Sequence, residues 1–125
     1  MSKPKELVNI FTLARYFEIK KLAESNYPSA ESVTPIVSRV VDSFRSNPLM
    51  KAVVRINQPV DVQVNMDAEC YVYFQLIVKP TIYQQLINEP DRSQLINLLV
   101  PPVTQALKAQ YSAFQFHVKL GIVPE

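Results

Sequence analysis

Cys70 and His117 are the only thiol and the only imidazole in 125 residues, so a nucleophilic dyad or an ordinary Cys/His metal cage has this pair alone to draw on. Two ligands do not close a tetrahedral zinc site, and one cysteine forms no internal disulfide. The dyad fails on parity. Cys70 keeps step with Val72, Phe74 and Leu76, whereas His117 keeps step with Gln115 and Lys119, and within one sheet those two sets point to opposite faces. Acid–base chemistry needs two carboxyls on one surface and would use Asp61, Asp67 and Glu69. These alternate with amides, as a solvated strand face does, and Asp67 and Glu69 lack the glycine-bearing loop of a calcium site. A hydrolase built on His117 and Asp61 therefore ranks behind the two binding readings given below. The chain reads as a non-enzyme, with no catalytic residue, metal or cofactor assigned.

A second exclusion comes from glycine. Gly121 is the only one, where the average usage of about 7% would supply about nine. Phosphate-binding loops, dinucleotide fingerprints and nucleophile elbows all need glycine where backbone approaches a ligand or turns with positive φ. None of them is present, and neither is the GXXG clamp of a typical RNA-binding KH domain. Ten prolines punctuate the chain instead, each fixing φ and lacking an N–H.

Between those prolines the period of the apolar residues changes twice. Leu7, Ile10, Phe11, Ala14 and Phe17 predict a helix from Lys5 to about Ser25, with Val8, Leu13, Tyr16 and Ile19 spreading its apolar surface toward a second partner. Thr34-Pro35 reads as a cap followed by proline in the first turn of a second helix, whose stripe is Ile36, Val37, Val40, Val41 and Phe44. From Leu49 the period is 2: Met50, Ala52, Val54 and Ile56 alternate inward, and after Gln58-Pro59 so do Val60, Val62, Val64 and Met66. The run from Cys70 to Lys79 is apolar on both parities and belongs inside the sheet. Ile82 and Leu86 mark a short helix, and Asp91 caps the next, which Pro101-Pro102 should break or kink before it resumes toward Tyr111. Phe114, Phe116, Val118, Leu120 and Ile122 then alternate with Gln115, His117 and Lys119 in a final strand.

The order is α-α-β-β-β-α-α-β, one domain over residues 1–125. The expected fold class is α+β: a two-layer sandwich with a mainly antiparallel sheet of about four strands and helices on one face. Its core face would be lined by Val54, Val62, Val64, Phe74, Leu76, Phe116 and Val118. With 48% hydrophobic and 19% charged residues and a mean hydropathy of +0.03, the chain has the apolar content for such a core. Its apolar runs are too short to cross a bilayer, which takes about 20 residues, so no membrane partner is expected. Met1 to Lys5 carries two lysines without the apolar run of a signal peptide, so the expected location is the cytoplasm, or a virion if the protein serves a phage.

The remaining candidate for function is the sheet face opposite the core. Lys51, Arg55, Tyr71, Tyr73, Gln115, His117 and Lys119 share its parity, mixing cations with flat rings. Tyrosines beside cations suit protein contact, since a phenol contributes apolar area and a polar tip at low entropic cost. They also suit single-stranded nucleic acid, with bases on Tyr71 and Tyr73 and phosphates on Lys51, Arg55 and Lys119. Asp61, Gln63 and Asp67 share the face, the two carboxylates among them would repel phosphates, and the net charge of +2 does not call for a polyanion. The leading reading is a non-enzymatic structural or adaptor protein, working through protein–protein contacts in a homo-oligomer or larger assembly. A ring subunit of a phage neck or tail is one such setting, and single-strand nucleic-acid binding is the alternative.

Overall fold

The computed structural model describes residues 27–125; the expected helix at Lys5 to Ser25 lies outside them. From residue 30 the order is α1 (Ala30–Ser43), a 3-10 turn (Pro48–Met50), β1 (Val53–Ile56), β2 (Asp61–Val64), β3 (Glu69–Val78), α2 (Pro80–Leu86), α3 (Asp91–Gln110) and β4 (Gln115–Pro124). The fold is α+β, as the periodicities predict. Among the described residues no helix is long and apolar enough to cross a membrane.

β3 is the centre of the four-stranded sheet. β1 and β2 lie one after the other along one side of it, both antiparallel, while β4 runs parallel along the other side from Glu69↔Gln115 to Val78↔Pro124. The helical layer α2–α3 supplies the crossover that a parallel pair requires. On one face Cys70, Val72, Phe74, Leu76 and Val78 are buried beneath Val33, Val37 and Val41 of α1 and Leu95, Leu99, Val103 and Leu107 of α3. Burying such side chains is worth about 1.5–3 kcal/mol each. Phe74, Leu76 and Phe116 are in the core as expected, and Val62, Val64 and Val118 are partly buried against it.

Four local expectations change. α1 begins at Ala30 instead of after Thr34, because Ser29 and Ser32 form a reciprocal capping box that satisfies the first orphan amides, leaving Pro35 inside the helix. Thr34 Oγ1 instead donates to Ala30 O (2.6 Å) and accepts from Val60 N (3.1 Å), tying the β1–β2 break to α1. Met50 and Ala52 are buried in the 3-10 turn and the bend after it, and the register slips between Val53 and Arg55. Val53 and Ile56 therefore face the core, while Val54 is only half-buried. Asp91 is the first residue of α3 without a capping hydrogen bond, and its carboxylate accepts from Gln85 Nε2 at 3.0 Å. Finally, α3 runs unbroken through Pro101-Pro102. Leu95, Leu99, Val103 and Leu107 form one fully buried i, i+4 stripe across the prolines, and this packing outweighs the lost helical hydrogen bonds.

Candidate functional site

The face of β3 away from the helices carries Glu69, Tyr71, Tyr73 and Gln75, because successive strand residues alternate sides. Register extends this into rows across three strands. Asp61, Tyr73 and Lys119 form one row, and Gln63, Tyr71 and His117 the next. Tyr71 and Tyr73 are 46% and 39% exposed, so the phenol rings are available to another molecule.

Each ring is held in place. Tyr71 stacks on His117 with centroids 4.7 Å apart and planes 18° from parallel. Tyr73 lies over the backbone of Gly121, so near that a Cβ there would meet its Cζ at 2.8 Å and its Cε2 at 3.2 Å. The Tyr73 hydroxyl accepts from Gln75 Nε2 at 3.3 Å, and Gln75 Oε1 accepts from Asn57 Nδ2 at 2.9 Å. A ring stack thus holds Tyr71, and a hydrogen-bonded chain holds Tyr73, on the paired strands β3 and β4.

Glu69 anchors the other end. Its Oε2 accepts from Asn65 Nδ2 and from the Tyr71 hydroxyl, both at 3.4 Å, and its Oε1 is 3.4 Å from His117 Nε2. The Asn65 hydrogen bond first, then those of His117 and Tyr71, hold its carboxyl below the ordinary value of 4.5. The carboxylate beside the imidazole is thus Glu69, not the Asp61 suggested by the hydrolase reading. Nor does Cys70 join His117: it is fully buried on the helical face, where desolvation pushes its thiol up to about 11, far from a reactive thiolate.

Of the seven residues expected on this face, six share it. Tyr71, Tyr73 and His117 form its centre, with Gln115 opposite Glu69 and Lys119 opposite Tyr73. Arg55 stands at the far end, its guanidinium 3.5 Å from Glu125 in an exposed ion pair. Lys51 does not share it. It sits in the bend before β1 and lines a cleft with Lys79, Ile82, Leu86 and Asp91, because the 3-10 turn ends the alternation that placed it with the tyrosines. Glu69, weighed in the sequence only as an acid–base candidate, and Gly121 are the two residues of this face that were not assigned to it. An isolated glycine within a strand pattern was the available signal for Gly121, since it marks a close approach. For Glu69 it was the two-residue step from Tyr71.

The face is electrically mixed. Asp61 and Glu69 stand against Lys119 and Arg55, and Glu125 already engages Arg55. Asp61 and Lys119, at the two ends of the Tyr73 row, have no ion-pair or side-chain hydrogen-bond partner among the described residues.

No family model matches this chain, and no curated protein matches it. Among solved structures it is similar to the crystal structure of Era in complex with MgGDPNP and nucleotides 1506–1542 of 16S ribosomal RNA, with 13% identity and a TM-score of 0.47. That match covers 74% of this chain and 31% of the other.

Proposed function

We propose that this chain is a non-enzymatic structural or adaptor protein that acts through protein–protein contacts in an oligomeric assembly, with the open sheet face as a contact surface. The observation that carries this reading is the pair of exposed, tethered rings, Tyr71 on His117 and Tyr73 on Gly121. Rings already held in one orientation lose little side-chain entropy on docking, and tyrosine is enriched at the centres of protein interfaces. Mixed charge supports the same choice. A protein surface can offer apolar groups to the rings and a carboxylate to Lys119, whereas a nucleic-acid strand would bring its phosphates toward Asp61 and Glu69. With Lys51 elsewhere and Arg55 engaged, Lys119 is the one cation of the three assigned to phosphates that stays on the face without a partner among the described residues.

Light scattering at high micromolar concentration tests the reading, together with titration by a single-stranded oligonucleotide at low salt. The expected results are a mass above the 14.3 kDa of one chain, a lower mass for Tyr71→Ala/Tyr73→Ala, and no oligonucleotide binding. A strict monomer that binds the oligonucleotide, with affinity falling as salt rises, would overturn it in favour of nucleic acid.

A further inference from the structure

We infer that copies of this chain join head to tail through their sheet edges, the β4 edge of one copy pairing antiparallel with the β2 edge of the next, with Lys119 opposite Asp61. This rests on the assembly reading above and names both the partner, a second copy, and the contact.

The backbone supplies the first half of the argument. Gln115 N donates to Ala68 O and Glu125 N to Val78 O, so the odd-numbered residues of β4 bond to β3. By alternation the even-numbered ones, Phe116 and Val118 among them, turn their N–H and C=O outward. In β2, Asn65 N donates to Glu69 O, which makes 65/69, 63/71 and 61/73 the hydrogen-bonded pairs and leaves Val62 and Val64 facing outward. No described residue hydrogen-bonds the outward groups of either edge. Unpaired edges of this kind are templates for another strand.

The side chains select the register. Placing Asp61 opposite Lys119 of the neighbour sets Val62 against Val118 and Val64 against Phe116, so that outward groups meet outward groups in two hydrogen-bonded pairs. The same alignment joins the acid at one end of the Tyr73 row to the base at the other, both without a partner among the described residues. It also joins the half-buried Val62, Val64 and Val118, extending the apolar face from copy to copy. Pairing is confined to these four residues. Beyond them Val60 N is bound by Thr34, and Arg45 donates to Val53 O and Val54 O across the β1 edge. The alternative occupant, β4 against β4 of a second copy, can set Lys119 against its own image, which opposes like charges. A head-to-tail contact gives a ring if its rotation closes and a filament if it does not.

Charge exchange tests the contact without touching the core, because Asp61 and Lys119 are exposed and have no partner among the described residues. By light scattering, Asp61→Lys and Lys119→Glu should each weaken self-association about tenfold or more, and the double variant Asp61→Lys/Lys119→Glu should restore it. No recovery in the double variant would overturn the register. Disulfide trapping gives a second readout. Within one chain positions 61 and 119 are two strand spacings apart, about 9–10 Å, beyond the reach of a disulfide. Oxidising a mixture of Asp61→Cys and Lys119→Cys chains should cross-link 61 to 119 between copies, and neither variant alone should dimerise. A 119–119 link would establish the β4–β4 pairing instead, and no link would remove the edge contact. If the charge variants keep the wild-type mass while Tyr71→Ala/Tyr73→Ala lowers it, the edge proposal fails and the open-face reading stands.

Discussion

The ring of Tyr73 occupies the space in which any residue but glycine at position 121 would put its Cβ. The one glycine in the chain is therefore a seat for a side chain, not a turn. Adding a methyl group there forces the ring outward, at about 1 kcal/mol for a half-exposed group that can move. In a Tyr73→Ala background the clash is gone and alanine is the better strand residue by about 0.5–1 kcal/mol. Gly121→Ala should thus lower the urea midpoint of the wild type and raise that of Tyr73→Ala. An effect of the same sign in both backgrounds would show that the two residues are not in contact.

Glu69 makes the stability depend on acid. Its carboxyl is held below 4.5 in the folded protein by hydrogen bonds from Asn65, His117 and Tyr71 that the unfolded chain lacks. A depressed carboxyl contributes stability that is fully present above its unfolded value and is lost as pH falls through the folded one. Denaturation followed from pH 6 downward should show wild-type stability declining below about pH 4.5, and Glu69→Gln should flatten that part of the curve. Because His117 supplies part of that depression, His117→Ala should flatten the same part of the curve partially, and less than Glu69→Gln does.

Ala68 has φ 61°, left-handed backbone that a Cβ disfavours, at the turn between β2 and β3. Asn65 holds it there, its Oδ1 accepting from Asp67 N at 3.0 Å and Glu69 N at 3.1 Å. Ala68→Gly relieves the steric cost and leaves those bonds intact, against some gain in unfolded-state entropy. The expected net effect is a stabilisation of about 0.5–1 kcal/mol by urea denaturation, with the Tyr71–His117 face unchanged.

The element types were legible because their apolar periods are long and regular. Phe114 to Ile122 alternates without a fault, and its parity alone separates His117 from Cys70 and puts it with Tyr71. Boundaries were less legible where two local signals compete. Ser29 with Ser32 outranks Thr34-Pro35 as a helix start because the box satisfies two amides reciprocally. Lys51 left the face because Asn47 Oδ1 accepts from Leu49 N and closes a 3-10 turn inside what reads as continuous alternation. The partner of His117 was out of reach for another reason. Glu69 is 48 residues away and meets it only through the parallel β3–β4 register, which no local pattern encodes.

The proline pair in α3 offers the sharpest contrast between local rule and tertiary packing. At the first position of a resumed helix, Pro101 would be favourable, since its missing N–H would have no partner there. In the middle of a continuous helix it deprives Asn97 O of its donor and sets a ring against that carbonyl. Pro101 is exposed, so Pro101→Ala changes no core contact and isolates the backbone effect. Restoring the hydrogen bond outweighs the extra freedom of the unfolded chain, and the variant should gain about 1 kcal/mol, raising the thermal midpoint by a few degrees. A loss of stability would mean that α3 stops before the prolines and restarts with them, and the unbroken Leu95–Leu99–Val103–Leu107 stripe would then have to be abandoned.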